Sequence, residues 1–405
     1  MNILFVGGLF NDEQLEMVSK NSKRMPNIAA NVHQWNIVNG LDGNLTILNP
    51  LFVGNFPSEY KKIFIKKARW SHDGVSQDIS PATVAVFGIK QLHRASVLKK
   101  EMKRWLKKQN KEDTVVLLYT LDTSYLKAFL SAKPKNFKGK SCVIVPDLPL
   151  FFIQSRGKSK LYRILKLFDW RSMLKKSRQI DSFILLTEQM KDLLNVGNRP
   201  YLVSEGISSS QPMDQIPSAA IFSKTITYTG TLDQEFGIVD LIRIFKKMGK
   251  EDWTLQIAGD GNAKDLVLSA VKDCKNIQYL GVLSNAQSVE LQRQSRILIN
   301  PRRSDEAFTK YSFPSKTMEY LKTGRPVLMH RLPGIPTEYN EYILFFDGLD
   351  DASVAQKINE VMCMSDAELD RIGEAGKNFV EQEKSVTAQG KKITDFLENL
   401  IHGIA

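Results

Sequence analysis

The chain has 405 residues, an apolar fraction of 42% and a charged fraction of 25%. This length accommodates two domains of ordinary size, and the composition is typical of a globular protein rather than a fibrous or membrane-embedded one. The formal net charge of +12 predicts a negatively charged partner. Nucleic acid, anionic lipid and a nucleotide-sugar all meet that requirement, so charge alone does not decide among them.

Several classes of protein are disfavoured at once. No apolar run approaches the roughly 20 residues that a membrane-spanning helix needs. The first ten residues have neither a basic segment nor a small-residue cleavage site, so they indicate a first strand rather than a signal peptide. Cys142, Cys274 and Cys363 are far apart and odd in number, which argues against a disulfide framework and a zinc site. A cytoplasmic location is expected.

The first half alternates short apolar strands with helical stretches. Strands are predicted at 2–6, 44–48, 82–87, 114–119, 141–145 and 182–186. This alternation predicts a parallel sheet with helices on both faces, where ligands lie beyond the carboxyl ends of the strands. Gly7 and Gly8, Asp122 and Asp147 follow three of these strands. The glycine pair is compatible both with close approach of a ligand and with a simple tight turn.

Two helical stretches in this half, 94–111 and 158–178, are strongly basic. In the second, apolar residues from Leu161 to Met173 are interleaved with lysines and arginines, which is the composition of a helix lying in a membrane surface. Three interpretations stay open: a solvated helix packed on its own domain, an electrostatic contact with anionic lipid, and a nucleic-acid site. The last is disfavoured because the chain has no zinc-finger spacing, no recognisable RNA-binding motif and no basic tail.

The polar, proline-marked run 204–224 predicts a linker between domains. A second strand–helix array follows, with strands predicted at 225–229, 253–258, 277–280, 297–299 and 343–346. A last amphipathic helix, about 386–401, has no strand after it and must pack on structure formed earlier in the chain. Two tandem sheets of similar design are therefore expected.

The segment 300–327 has the chemistry of an anion site. A helix beginning at Pro314 follows a short apolar strand and a polar loop, an arrangement that presents backbone N–H groups to a ligand. Arg302 and Lys316 would add positive charge, and Glu319 would accept hydrogen bonds from two sugar hydroxyls. The segment predicts a phosphorylated sugar or a nucleotide as ligand.

A set of short motifs follows in fixed order between about 225 and 382. They are Tyr228-Thr-Gly-Thr-Leu232 with Phe236-Gly237, Ile257-Ala-Gly-Asp-Gly261, Tyr279-Leu-Gly-Val282, Ile299-Asn-Pro-Arg302 and Pro314-Ser-Lys-Thr-Met-Glu-Tyr-Leu-Lys-Thr-Gly-Arg-Pro-Val327. In these motifs the second half resembles the nucleotide-sugar domain of retaining GT-B glycosyltransferases of family four, the glycosyl transferases group 1. The first half agrees in strand order and in its Gly7-Gly8 pair.

The resemblance implies an α/β fold of two facing Rossmann-like domains with parallel sheets. Residues 1–207 would bind the acceptor, 208–382 would bind the nucleotide-sugar, and a C-terminal helix in 383–405 would cross back to the first domain. The implied enzyme is a hexosyltransferase that moves a hexose or hexosamine from a nucleotide-diphosphate sugar, with UDP-sugar the expected donor, to a glycan or glycolipid acceptor with retention. No metal and no other cofactor is expected.

The family's site residues carry over in part. Glu319 matches the glutamate that binds the nucleotide ribose, whereas Tyr311 stands where the family has a glutamate that contacts the transferred sugar. Thr231 and Phe236 occupy the positions of the diphosphate-binding arginine and lysine. Gly7, Gly8, Gly230 and Ser315 complete the predicted nucleotide-sugar-binding set.

The missing positive charge is expected to come from Arg302 and Lys316, facing the diphosphate leaving group. A plain structural role stays open for each: Lys316 as a solvated lysine at a helix start, and Arg302 as the partner of Asp305 or Glu306. Asp147 falls where related enzymes place a polar residue near the anomeric centre. It is expected to orient a sugar hydroxyl or stabilise positive charge, or else to be a turn residue.

Tyr311, Thr231 and Phe236 each replace a charged residue of the family. These replacements leave a second function open, a catalytically inactive GT-B subunit that binds or stabilises a partner glycosyltransferase. A GT-B epimerase or phosphorylase is a weaker third, since the sequence shows neither paired acids nor the context of a cofactor lysine. Assembly of a glycan or glycolipid at the inner face of an anionic membrane would account for the basic first domain.

Overall fold

The computed structural model describes residues 1–23, 26–109, 111–148, 160–209 and 224–404. The chain divides into two units, one formed by Met1–Ser209 with Val386–Ala405 and the other by Ser210–Ser385. Most of the predicted linker, 210–223, lies outside the described residues.

The first unit is built on an eight-stranded sheet. The described strands of the unit, eight in this sheet and two in a separate pair, are β1 (Asn2–Val6), β2 (Asn44–Leu48), β3 (Phe64–Ile65), β4 (Ala68–Trp70), β5 (Asp78–Ser80), β6 (Thr83–Val84), β7 (Thr114–Tyr119), β8 (Lys140–Val145), β9 (Ser182–Leu185) and β10 (Tyr201–Val203). Its described helices, in chain order before the second unit, are α1 (Asp12–Asn21), α2 (Ile28–Gly40), α3 (Lys90–Gln109), α4 (Thr123–Ala132), α5 (Lys160–Ser177) and α6 (Met190–Leu193).

The strands of this sheet run in the order β10-β9-β8-β7-β1-β2-β5-β4. The central strands are buried over nearly their whole length, as expected for apolar, β-branched runs covered on both faces. Val6 of β1 pairs with Leu48 of β2 and with Leu118 of β7, so the carboxyl ends of these strands share one edge. Two features were not predicted: β4 runs antiparallel to β5, and β3 and β6 form a separate antiparallel pair. Of the strand predicted at 82–87, only Thr83–Val84 forms a strand, β6.

The second unit has a six-stranded, all-parallel sheet in the order β13-β12-β11-β14-β15-β16. Its strands are β11 (Thr225–Thr229), β12 (Thr254–Ala258), β13 (Ile277–Tyr279), β14 (Ile297–Asn300), β15 (Val327–Met329) and β16 (Leu344–Phe345). Its helices are α7 (Ile238–Met248), α8 (Lys264–Asp273), α9 (Asn285–Gln294), α10 (Ser315–Lys322), α11 (Asp351–Met362) and α12 (Asp366–Glu383).

Helix α7 shows why this unit folds as it does. Ile238, Leu241, Ile242 and Phe245 recur at i, i+3, i+4 and i+7, and all four are buried in the core of the unit. Gly249 ends the helix in the left-handed conformation that glycine adopts most easily. The helical period in the sequence therefore directly specifies the face that covers the sheet.

The last helix, α13 (Val386–His402), belongs to the first unit. It packs on α2 so closely that a Cβ at Gly390 would overlap the backbone of Gly40. Thr394 Oγ1 accepts a hydrogen bond from the backbone N–H of Asp42 at 3.1 Å, and Leu397 enters the core beneath the sheet. The predicted fold class, an α/β chain with two parallel Rossmann-like sheets and a returning C-terminal helix, is confirmed.

None of the helices in the described ranges combines the length and the apolar character that crossing a membrane would require.

Candidate functional site

The carboxyl edge of the second sheet brings several predicted site residues together. Strand β11 lies between β12 and β14, so the loops that follow these three strands are neighbours. Gly230 and Thr231 follow β11, and Arg302 follows β14. Gly259, which follows β12 at φ +142°, could not carry a Cβ without overlapping the carbonyl of Gly230. The close contact of these two loops thus depends on that glycine.

Glu319 lies on α10 and makes two strong contacts through one oxygen. Lys316, one helical turn earlier, donates from Nζ to Glu319 Oε1 at 2.6 Å. Gln292 of α9 donates from Nε2 to the same oxygen, also at 2.6 Å. Among the described residues, Glu319 Oε2 accepts no hydrogen bond, and 27% of the side chain is exposed. The carboxylate is therefore held in place with one oxygen open to a ligand.

Gln292 is a site residue that sequence reasoning missed. Its side chain is fully buried, and Nε2 also donates to Thr229 Oγ1 at 2.8 Å, which ties α9 to the end of β11. The backbone N–H of Thr229 donates in turn to the hydroxyl of Tyr320, the residue after Glu319, at 2.8 Å. The only signal in the sequence is a glutamine on the buried side of an amphipathic helix, which gives no indication of its partners.

Arg302 has a different environment from Lys316. Its guanidinium carbon lies 4.3 Å from the ring centre of Phe236 and 5.3 Å from that of Phe308. Within the described part of the chain it has no carboxylate partner, because the neighbouring Arg303 takes Asp305, with Nη2 to Oδ2 at 2.9 Å. The structural pairing considered for Arg302 is therefore made by Arg303 instead. Burial lowers the pKa of Arg302, as expected for a cation without a counter-ion.

The placement of Phe236 follows from the glycine after it. Gly237 has φ +79°, and a Cβ there would overlap the carbonyl of Pro301, the residue before Arg302. The turn therefore lies directly on the loop after β14. Helix α7 begins at the next residue with no side-chain cap on its first turn. The positive end of the helix dipole and the uncompensated guanidinium thus lie in the same region.

Three further predicted residues lie around this edge. Thr231 is exposed, and its carbonyl accepts a hydrogen bond from the Tyr228 hydroxyl at 2.7 Å. Ser315 is the exposed first residue of α10, which also lacks a side-chain cap. Tyr311 is half-buried at the end of a short 3-10 helix, Ala307–Tyr311. Their roles as nucleotide-sugar ligands stay predictions.

Gly7 and Gly8 lie in the first unit and are both buried. The N–H of Gly7 donates to the carbonyl of Leu48 at 3.3 Å, and the N–H of Gly8 donates to Gln34 Oε1 at 2.7 Å. A Cβ on Gly8 would overlap the ring of Phe52. The pair therefore serves close packing within the unit, and its predicted contact with a ligand remains untested.

Asp147 follows β8 and is exposed at the residue level, yet partial desolvation of its carboxyl raises its pKa. Its charge adds to burial in raising the pKa of Tyr119, the last residue of β7. The Tyr119 hydroxyl lies 3.0 Å from Nδ1 of His33, and burial lowers the pKa of His33 to about 4. Asp147 therefore lies within electrostatic range of Tyr119, whose hydroxyl contacts His33, an arrangement that the sequence did not reveal.

Across the described ranges, no three His, Cys, Asp or Glu side chains are placed to hold a metal ion together.

Residues 223–363 match the family model described as glycosyl transferases group 1. The chain has the GT-B fold, and its residues 223–363 resemble the glycosyl transferases group 1. The matched segment contains all the site residues of the second unit discussed above. The resemblance to GT-B glycosyltransferases is confirmed, whereas membership of family four and retention stay predictions. No curated protein sequence matches the chain significantly.

Solved structures with the same fold cover most or all of the chain. Sucrose-phosphate synthase from Thermosynechococcus elongatus superposes with a TM-score of 0.61 at 11% identity, covering 100% of both chains. An E. coli trehalose-6-phosphate structure bound with UDP-2-fluoro glucose gives 0.61 at 10% identity, covering 98% of this chain and 99% of that one. TarM gives 0.50 at 15% identity, covering 73% of this chain. The chain spans 57% of the length of TarM.

Proposed function

We propose that this GT-B protein transfers a hexose or hexosamine from a nucleotide-diphosphate sugar to a glycan or glycolipid acceptor, with retention at the anomeric carbon. One observation carries the proposal. At the carboxyl edge of the second sheet, a cation without a counter-ion (Arg302) lies over Phe236, next to the turn that begins α7, and a carboxylate with a free oxygen (Glu319) is held by Gln292, which also binds the end of β11. This is the set of groups that a nucleoside diphosphate needs.

In this proposal Glu319 binds the ribose. Lys316 and Gln292 both donate to Oε1, so they fix the plane of the carboxylate and leave Oε2 to accept from the ribose hydroxyls. Because the ribose donates to a charged acceptor, each hydrogen bond is stronger than one between neutral groups.

Arg302 and the N-terminus of α7 bind the diphosphate. As the glycosidic bond breaks, negative charge grows on the leaving phosphate, and fixed positive groups stabilise that charge without reorganising. The leaving phosphate can itself take the acceptor's proton, so no protein nucleophile is required. Asp147, which follows β8, is proposed to orient a sugar hydroxyl or to stabilise positive charge at the anomeric carbon.

UDP-sugars are the proposed donors because the E. coli trehalose-6-phosphate structure of the same fold is bound with UDP-2-fluoro glucose. A lipid-linked acceptor at the cytoplasmic face of a membrane is compatible with the net charge of +12.

The test is a donor-hydrolysis screen over UDP-, GDP- and dTDP-sugars, combined with calorimetric titration of the corresponding nucleotides. We expect one nucleotide to bind and its sugar to be hydrolysed slowly without acceptor. Binding that survives the Glu319→Ala substitution unchanged would remove Glu319 from the proposal.

A second function is favoured by one specific observation. The Lys316 ammonium is already paired with Glu319, and Tyr311 replaces an acidic residue, so fewer groups are free for catalysis than in the family pattern. An inactive GT-B subunit that stabilises a partner transferase would need none of them. If neither hydrolysis nor nucleotide binding is detected, this second function is the better account.

A further inference from the structure

Helix α5 carries an apolar stripe that faces solvent. Leu161, Ile164, Leu165 and Phe168 recur at i, i+3, i+4 and i+7, which places them on one side of a helix. Their exposed fractions are 66%, 50%, 60% and 62%. Four large apolar side chains in one exposed patch are uncommon on a protein surface and mark an interaction site.

The opposite side of α5 attaches it to the first unit. Trp170 and Met173 are buried, and they lie about half a turn from the stripe. Thr123 at the start of α4 donates from Oγ1 to Asp169 Oδ1 at 2.6 Å. The helix is therefore anchored by its second half, and the stripe points away from the unit.

The same outward side becomes cationic further along the helix. Arg171 and Lys175 continue the stripe at i+10 and i+14, and both are exposed. In the part of the chain that the structure describes, neither has a carboxylate within ion-pair distance. A surface with apolar side chains at one end and uncompensated cations at the other can contact the acyl chains and the phosphates of a bilayer together.

We propose that this surface, the docking face (Leu161, Ile164, Leu165, Phe168, Arg171 and Lys175), binds a bilayer that carries anionic lipid. The apolar residues enter the boundary between headgroups and acyl chains, and the two cations contact the lipid phosphates. A second copy of the chain is a poorer occupant, because a symmetric pair would bring the same uncompensated cations of two +12 molecules together. The inference does not depend on the proposed function.

The experiment is flotation of the full chain with phosphatidylcholine vesicles, with and without phosphatidylglycerol and without any sugar donor. We expect flotation only with phosphatidylglycerol, and its loss when Leu165→Glu and Phe168→Glu are combined. Combining Arg171→Gln with Lys175→Gln should weaken binding by roughly fivefold per cation, less at high salt.

The matched control combines Leu266→Glu with Leu268→Glu on α8, where the leucines are exposed by 46% and 39%. This variant should float like the wild type. All the changed side chains are exposed, so urea midpoints should stay the same. Absence of wild-type flotation, or equal flotation of the Leu165/Phe168 variant, would overturn the proposal. So would a wild-type dimer, seen by light scattering, that this variant converts to a monomer without any vesicle binding, because the face would then be a self-association surface.

Discussion

Replacing Arg302 with alanine removes a guanidinium that lies over the rings of Phe236 and Phe308 and pairs with no carboxylate in the described ranges. Because no acidic partner is left behind, the loss of stability should be limited to the cation–π contacts, about 0.5–2 kcal/mol. If the guanidinium binds the diphosphate, the same substitution also lowers the affinity for UDP.

The expected loss of UDP affinity follows from the hydrogen bond that Arg302 would donate to the diphosphate. A hydrogen bond to a charged group contributes about 1.5–3 kcal/mol. Since each 1.4 kcal/mol corresponds to about a tenfold change in affinity, UDP binding should weaken by roughly 10- to 150-fold. Arg302→Lys should fall between alanine and wild type, because an ammonium keeps the charge but loses the planar fork and the stacking.

The assay is calorimetric titration of UDP, with urea unfolding of the same samples. Arg303→Ala is the matched control: it removes the adjacent arginine, which is 32% exposed and already paired with Asp305. We expect Arg303→Ala to change UDP affinity by less than about twofold, since exposed pairs contribute little. Equal weakening in both variants would show a general loss of positive charge, and unchanged binding in Arg302→Ala would refute the assigned role.

Four further outcomes are expected. Phe236→Lys on the Arg302→Ala background should recover part of the UDP affinity if only positive charge is needed there; no recovery would mean that Arg302 acts through geometry. Gln292→Met should lower both UDP affinity and stability, the latter by about 1–3 kcal/mol in urea unfolding, because Thr229 and Glu319 lose a buried donor. Gly259→Ala should destabilise far more than Gly249→Ala, since both glycines have positive φ but only Gly259 lacks room for a Cβ; similar urea midpoints would contradict this. Burial lowers the pKa of His33 and of His330 to about 4. The unfolded chain therefore binds more protons below about pH 6.5, and stability should fall between there and pH 4, by at most about 3 kcal/mol per histidine; His33→Gln should flatten this dependence in urea titrations at several pH values.

The sequence predicted the parts of the fold whose pattern is local. Strands 2–6 and 114–119 are continuous apolar runs, and the last helix, predicted at about 386–401, is amphipathic, so their bounds agree with the structure within a residue. The antiparallel elements of the first unit were missed because β3 and β4 are two or three residues long and partly exposed. Such strands have no period to detect.

In the candidate site, too, contacts within one helix could be predicted from the sequence and contacts between distant segments could not. Glu319 and Lys316 lie on one helix, so their pairing follows from three-residue spacing. Gln292 reaches Glu319 across 27 positions of sequence, and no local pattern encodes that contact. The partner of Asp305 proved to be Arg303 rather than Arg302, a choice between adjacent arginines that only the backbone direction decides.

The charge balance at this edge bears on whether the missing family cations abolish catalysis. Lys316 is neutralised by Glu319, so of the two replacement cations only Arg302 brings uncompensated charge. The uncapped N-termini of α7 and α10 each add about half a positive charge, since Asp240 in the first turn of α7 is itself paired with Arg243. Arg302 and the two helix ends together supply roughly two positive charges, which is about what the two phosphates of a nucleotide-sugar require. Thr231 and Phe236 therefore do not by themselves leave a donor diphosphate without compensation, and an inactive subunit would have to owe its inactivity to Tyr311 or to the acceptor side.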